Sequence, residues 1–179
     1  MHEAVEKILF SEETLRQRIQ ELGAQITADY AGKEPVLASV LRGSYIFMAD
    51  LTRAIDLPLT VDFMAVSSYG AGTVSSGQVE IKKDLSDPIE GKNLLIIEDI
   101  LDSGNTLYFL KNYFLTKGAK SVTVVTLLDK PARRVKPITA DLAGFEVPDE
   151  FVVGYGLDYA QQYRNMPYIG VLKPEVYSK

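Results

Sequence analysis

Two nearly unbroken apolar runs, Asn93 to Ile97 and Ser121 to Leu128, flank a single amphipathic helix pattern, and this constrains the fold more than any other feature. A strand with one wet face alternates apolar and polar residues, whereas a strand covered on both faces reads as a continuous aliphatic stretch. Leu107, Leu110, Phe114 and Leu115 mark the helix between the runs, which ends at Gly118. Strand, crossover helix and second strand form the repeating unit of a parallel sheet.

The same succession starts earlier. Ser11 followed by Glu12 and Glu13 reads as a helix N-cap with acids at the positive dipole end. Leu15, Ile19, Leu22 and Ile26 continue that helix, which stops before Gly32. Pro35 opens a buried strand, Val36 to Leu41, broken at Arg42-Gly43-Ser44. Ile46, Met48, Ala49, Leu51 and Ile55 give a second helix, and Leu59 to Val66 another strand. Ser67 to Gly77 is rich in glycine and serine and reads as an exposed loop, with Gln78 to Lys83 its returning strand. Phe151 to Tyr155 and Tyr168 to Leu172 are short later strands. The fold class is α/β, a mostly parallel central sheet flanked by helices. With no repeat or linker, residues 1–179 are expected to form one domain.

Composition narrows the chemistry. The chain has no cysteine, which excludes disulfides, thiolate metal sites and a thiol nucleophile. The lone histidine, His2, sits at the N-terminus, where chains fray, so relays and metal sites built on histidine are excluded. A net charge of −5 argues against nucleic acid as the main partner. No apolar run approaches the ~18–20 residues of a membrane span, and Met1 to Phe10, with two glutamates, has no leader-like apolar stretch. A soluble cytoplasmic protein is expected.

The richest strand end follows Ile97. Glu98, Asp99 and Asp102 come first, then Ser103, Gly104, Asn105 and Thr106 lead into the helix. In open α/β sheets ligands bind beyond the carboxyl ends of strands. Small residues, hydroxyls and amides at a helix N-terminus suit a phosphate, while carboxylates beside them repel one unless a sugar or divalent cation intervenes. A phosphorylated sugar satisfies both halves. A capped, solvated turn needs only one acid and leaves Glu98 and Asp99 without a purpose.

This stretch resembles the phosphoribosyl-pyrophosphate (PRPP) binding motif of type I phosphoribosyltransferases. From the Pro35 strand to the Tyr168 strand the chain is similar to the hypoxanthine-guanine group of that family, with its motifs in order. The resemblance implies a small hood built from N- and C-terminal segments above the sheet. It implies that Glu98 and Asp99 hold ribose hydroxyls and Mg²⁺, that Asp102 to Thr106 carry the 5′-phosphate, and that Asp102 is the general acid/base at purine N7. Arg42 and Gly43 match the pyrophosphate loop, Ser68 and Tyr69 a covering lid, and Arg164 a pyrophosphate-contacting arginine. Lys130 matches the donor to the purine 6-oxo group, Phe151 a ring stacked on the base, Val152 a backbone contact to its edge, and Asp158 a member of the magnesium shell through water. Arg133, Arg134 and Lys136 remain as surface or subunit contacts. The chain departs from common family residues at Arg42 and Asn105, often lysine, and at Ser103, often threonine.

The implied reaction joins hypoxanthine or guanine to PRPP, giving IMP or GMP and pyrophosphate, in a homodimer or homotetramer. A PRPP- or nucleotide-sensing regulator on the same fold is the alternative; it would not need Asp102, Lys130 and Phe151 together. A dinucleotide fingerprint at Gly70-Ala71-Gly72 lacks its third glycine, and a phosphorelay receiver would carry its acids after the first strand.

Overall fold

The computed structural model describes residues 1–68 and 79–178. Its strands are β1 (Val5–Phe10), β2 (Val36–Leu41), β3 (Thr60–Ser68), β4 (Val79–Lys83), β5 (Asn93–Leu101), β6 (Ser121–Asp129), β7 (Leu142–Glu146), β8 (Val152–Val153) and β9 (Ile169–Leu172). Helices are α1 (Glu12–Asp29), α2 (Tyr45–Ala54), α3 (Asn105–Thr116) and the short α4 (Pro174–Tyr177), with a 3₁₀ turn at Pro131–Arg133. Six strands form one sheet in the order β4-β3-β2-β5-β6-β7. Its pairs are parallel except β3 with β4. The others form a three-stranded antiparallel sheet, β1-β9-β8, the hood of N- and C-terminal segments.

The aliphatic run explains itself once both faces are traced. Leu95 and Ile97 of β5 pack with Val125 and Leu127 of β6 under α1 and α2. Leu94 and Ile96 pack with Val122 and Val124 on the opposite face, beneath Leu107, Leu110 and Phe114 of α3. Successive side chains point to opposite faces, so a strand covered twice must be apolar at every position. The α1 cap forms as the sequence predicts: the Thr14 amide donates to Ser11 Oγ at 3.2 Å, with Glu12 and Glu13 in the first turn.

Several elements differ from the expectations. β5 continues to Leu101, with Glu98 opposite Thr126 and Ile100 opposite Leu128, so the acids Glu98 and Asp99 belong to the strand rather than follow it. β3 runs on to Ser68, paired with Val79. β8 is two residues long because the backbone turns at Gly154 and Tyr155, both at positive φ. β7 and β1 are additional strands. The N-terminus is pinned rather than frayed: the His2 amide donates to Tyr168 Oη at 2.8 Å, and Lys173 N donates to Ala4 O at 2.9 Å. No helix among the described residues is long and apolar enough to cross a membrane.

This packing separates two neighbours on α3. Phe114 is 1% exposed and Leu115 48%. Phe114→Ala is expected to lower the unfolding free energy by about 3–5 kcal/mol, and Leu115→Ala by no more than about 0.5 kcal/mol, in urea titrations. Equal losses would place the wrong helix face against the sheet.

Candidate active site

The carboxyl ends of β2, β5 and β6 open into two adjoining cavities. The smaller, about 250 Å³, is lined by Arg42, Gly43, Glu98, Asp99 and the turn from Asp102 to Thr106. The larger, about 440 Å³, is walled by Lys130, Phe151, Val152, Leu157, Asp158 and Tyr177 among others. Ile100 and Asp102 line both. A third cavity of about 620 Å³, between α1, α2 and the Tyr155–Pro167 segment, contains none of the expected site residues.

The turn after β5 is held from one side. Leu101 O accepts from Lys130 N at 2.9 Å and from Arg134 Nη2 at 3.2 Å. Asp102 O accepts from Arg134 Nε at 3.0 Å, and Ser103 O from the amides of Val135 and Lys136 at 2.9 and 3.1 Å. A trans peptide points its N–H opposite to its C=O. With the Asp102 and Ser103 carbonyls turned toward the 134–136 segment, the Ser103 and Gly104 amides face the other way, which makes an anion cradle at the start of α3. Gly104 has φ +82°, and a Cβ there would press on Ile138 and the Arg134 side chain. Only glycine satisfies both the left-handed backbone and the close approach. Asp102 Oδ1 is buried and has no hydrogen-bond partner among the described residues. A buried acceptor without a partner is costly and rare in native proteins. This one sits where the two cavities meet.

The acid pair behind the turn is set by the strand. Glu98 is 8% exposed and Asp99 half-buried. Burial, then the neighbouring Asp99 charge, pushes the Glu98 carboxyl well above the usual range. Burial also raises Asp99, offset in part by its hydrogen bonds with Glu98 and the Ile100 amide and then by the charge of Arg164. A Cβ on Gly43 would collide with the Asp99 carboxylate, so the β2–α2 turn closes directly over this acid. Ser44 fixes that turn, bonding to Ser39 Oγ at 2.7 Å and donating to Val40 O. Glu98 and Asp99 offer hard oxygen donors of the kind Mg²⁺ takes alongside substrate oxygens. Asp158 is not with them: it lines the larger cavity, where Oδ1 pairs with Arg164 Nη2 at 2.9 Å and Oδ2 accepts from Gln161 N at 2.9 Å. Among the described residues no three carboxylates or histidines cluster closely enough to hold a metal.

On the larger cavity Lys130 is 6% exposed and donates from Nζ to Glu150 O at 2.8 Å. Val152 is buried, whereas Phe151 is 37% exposed and stacks on Tyr177 with centroids 4.9 Å apart. Beside the smaller cavity, Gln161 Oε1 accepts from Arg42 Nη1 at 2.9 Å and from Arg164 Nη2 at 3.1 Å, and Arg164 Nη1 donates to Gly156 O at 2.7 Å. Ser68 closes β3, and Tyr69 lies outside the described residues.

Three residues add to those the sequence singles out. Gln161 joins two cations and Tyr177 backs Phe151; neither has a motif of its own. Arg134 corrects the expectation of a surface or subunit contact, since its side chain is 16% exposed and also pairs with Asp129 and donates to Ile138 O at 2.7 Å. Arg133, paired with Asp149 at 2.5 Å, does lie on the surface.

The raised Glu98 carboxyl makes a stability prediction. Unfolded, it titrates near its ordinary value of 4.5; folded, it keeps its proton to higher pH. The folded state then binds more protons above that value, and stability falls as pH rises from 4.5 through the raised value. In metal-free buffer, Glu98→Gln is expected to raise Tm at about pH 8 and to leave it unchanged at about pH 4. A variant no more stable than the parent at the higher pH would contradict the burial of this charge.

Comparison with known proteins agrees with this geometry. A phosphoribosyl transferase domain model matches residues 7–160. The bifunctional protein TilS/HprT of Listeria innocua is 58% identical over 179 residues, all of this chain, which spans only 28% of that protein. The hypoxanthine-guanine phosphoribosyltransferase of Bacillus subtilis is 57% identical over 99% of this chain and 98% of its own length. The crystal structure of a hypoxanthine phosphoribosyltransferase from Staphylococcus aureus superposes with a TM-score of 0.97 at 52% identity, covering 100% of this chain and 97% of that one. With the cradle, the acid pair and the larger cavity arranged on a fold shared along its whole length with such enzymes, the chain belongs to the phosphoribosyltransferase family, in its hypoxanthine-guanine branch.

Proposed function

We propose that the protein transfers the 5-phosphoribosyl group of PRPP to hypoxanthine or guanine, giving IMP or GMP and pyrophosphate. The observation that carries this reading is Asp102, whose buried, unpartnered Oδ1 stands between a phosphate cradle and a cavity walled by a lysine and an aromatic ring. The 5′-phosphate takes the amides and hydroxyls of Ser103, Gly104, Asn105 and Thr106. The base enters the larger cavity against Phe151, with its 6-oxo group toward Lys130 and its edge toward the Val152 backbone. Its N7 then meets Asp102, which takes the proton as N9 attacks C1′.

The leaving pyrophosphate lies by Arg42, Gly43 and Arg164, whose guanidinium groups offset charge as the bond to C1′ breaks. Ser68 and Tyr69 belong to the segment that would cover this side and exclude water. Magnesium, when bound, neutralises diphosphate charge and strengthens the leaving group. Glu98 and Asp99 would hold it together with the ribose hydroxyls, and the Asp99 carboxylate lies against the Gly43 turn where the diphosphate would rest. Asp158 contributes by fixing Arg164 and Gln161 and reaches a magnesium shell only through water. The same reading includes a cytoplasmic reaction, where the highly charged PRPP is retained, and a homodimer or homotetramer. A sensor would need the cradle alone; the convergence of Asp102, Lys130 and Phe151 on one cavity favours turnover.

Two measurements test this. Asp102→Asn keeps the shape but removes the proton acceptor, so kcat should fall by about 10²–10⁴-fold while KM for PRPP stays within a few-fold. Near-normal turnover would remove Asp102 from the proton transfer. Across hypoxanthine, guanine, xanthine and adenine, kcat/KM should be lowest for adenine, whose 6-amino group meets a lysine donor with a donor of its own. Preference for adenine would exclude the Lys130 role.

A further inference from the structure

We infer that Arg134 is a positioning residue for the transfer: it aims the Asp102 carboxylate and the phosphate-binding amides by gripping the turn from behind. The inference rests on the reading of Asp102 as the proton acceptor and adds a residue that never touches substrate.

A turn carrying an unpartnered carboxylate at its centre has no local reason to stay in one conformation. Its own side chains do little to hold it, since within it only the Asn105 amide bonds back, to Ser103 Oγ at a long 3.4 Å. The restraint comes from across the sheet edge. The Arg134 guanidinium spreads over Leu101 O, Asp102 O and Ile138 O, with Asp129 as its carboxylate partner. Next to it, the amides of Val135 and Lys136 take Ser103 O. Three successive carbonyls, Leu101 to Ser103, are thereby engaged on the side away from the cavity. Planar peptides then turn the following N–H groups inward, and the Cα–Cβ bond of Asp102 follows from the same fixed backbone.

Arginine suits this task and lysine does not. A guanidinium presents donors in a rigid planar fork and reaches several carbonyls at once, whereas an ammonium is a point charge on a flexible stem. Most of the guanidinium is shielded from water, and the paired Asp129 offsets the cost of its burial. Gly104 completes the arrangement, since any side chain there would meet Arg134 and Ile138.

The test is a double-mutant cycle on kcat, with circular dichroism and IMP affinity measured on every variant. Arg134→Lys keeps the charge beside Asp129 but loses the fork. In the parent background it should lower kcat by about 10–100-fold and raise KM for PRPP, as a displaced catalytic group does, with the protein still folded. In the Asp102→Asn background it should lower the remaining kcat by less than about 3-fold, because the carboxylate it aims is gone, while the rise in KM for PRPP, which reports the amides, should persist. Guanidinium ion added to Arg134→Ala should restore part of the lost kcat. Asp129→Asn, which removes the ion pair and leaves the carbonyl bonds, should cost Tm but less kcat than Arg134→Lys. Losses that multiply in full would mean that Arg134 acts independently of Asp102 and would overturn the proposal, as would unchanged kcat or unfolding of both Arg134 variants. A parent protein that binds IMP but never releases pyrophosphate would instead contradict the proposed reaction itself.

Discussion

Strand β5 carries the architecture, because it is locked on both edges and both faces at once. It pairs in register with β2 from Leu94 to Ile97 and with β6 along its whole length, while alternate side chains enter two separate cores. A slip of one residue would exchange those faces and move every partner. The acids therefore inherit a fixed depth. Glu98 is buried because it continues a strand that is buried from Leu94 to Ile97, and burial raises its carboxyl as a consequence of strand pairing. Stability is sacrificed at the strand end where oxygen donors are placed, a common pattern for functional sites.

The segment from Lys130 to Lys136 connects the two cavities physically. The Lys130 amide holds Leu101 O while its side chain reaches into the larger cavity, and four residues later Arg134 holds the same turn again. A shift of this segment would move the wall of the larger cavity and the turn of the smaller one together. Asp102, which lines both spaces, sits on that shared support.

Much of this was legible in the residues. The aliphatic runs make β2, β5 and β6 plain, and Ser11 with its acids marks the start of α1 correctly. Clustered carboxylates before small residues point to the cradle from residue order alone. β7 escapes because Leu142–Glu146 is only partly buried, has no β-branched residue and carries Gly144 at its centre. β1 escapes because it acquires its partner only from β9, more than 150 residues away in the chain. Arg134 is illegible for a different reason: an arginine bonding distant main-chain carbonyls has no periodicity and no partner residue type, and in a run of four cations it looks like solvated charge. The extension of β5 through Glu98 and Asp99 is hidden by the usual rule that strands avoid acids.

Gln161 shows how a neutral residue serves a charged site. Arg42 and Arg164 come from segments more than 100 residues apart, yet both donate to its one carbonyl oxygen. A carboxylate in its place would draw the two guanidinium groups together more strongly but would cancel part of the positive charge that an anionic ligand needs. An amide oxygen orients them and leaves their charge in place. The backbone accepts unfavourable geometry to put it there, with Ala160, Gln161 and Tyr163 at positive φ within four residues. Strain of that kind persists only where surrounding contacts enforce it. Here they are the bonds of Asp158 to Gln161 and Arg164, and of Arg164 to Gly156. Gly156 in turn packs on the carbonyl of Gly43, so the cations, the glycine turn and Asp99 form one continuous contact. The guanidinium of Arg42 suits that contact, because its planar donors can meet a side-chain amide and an incoming oxyanion at the same time.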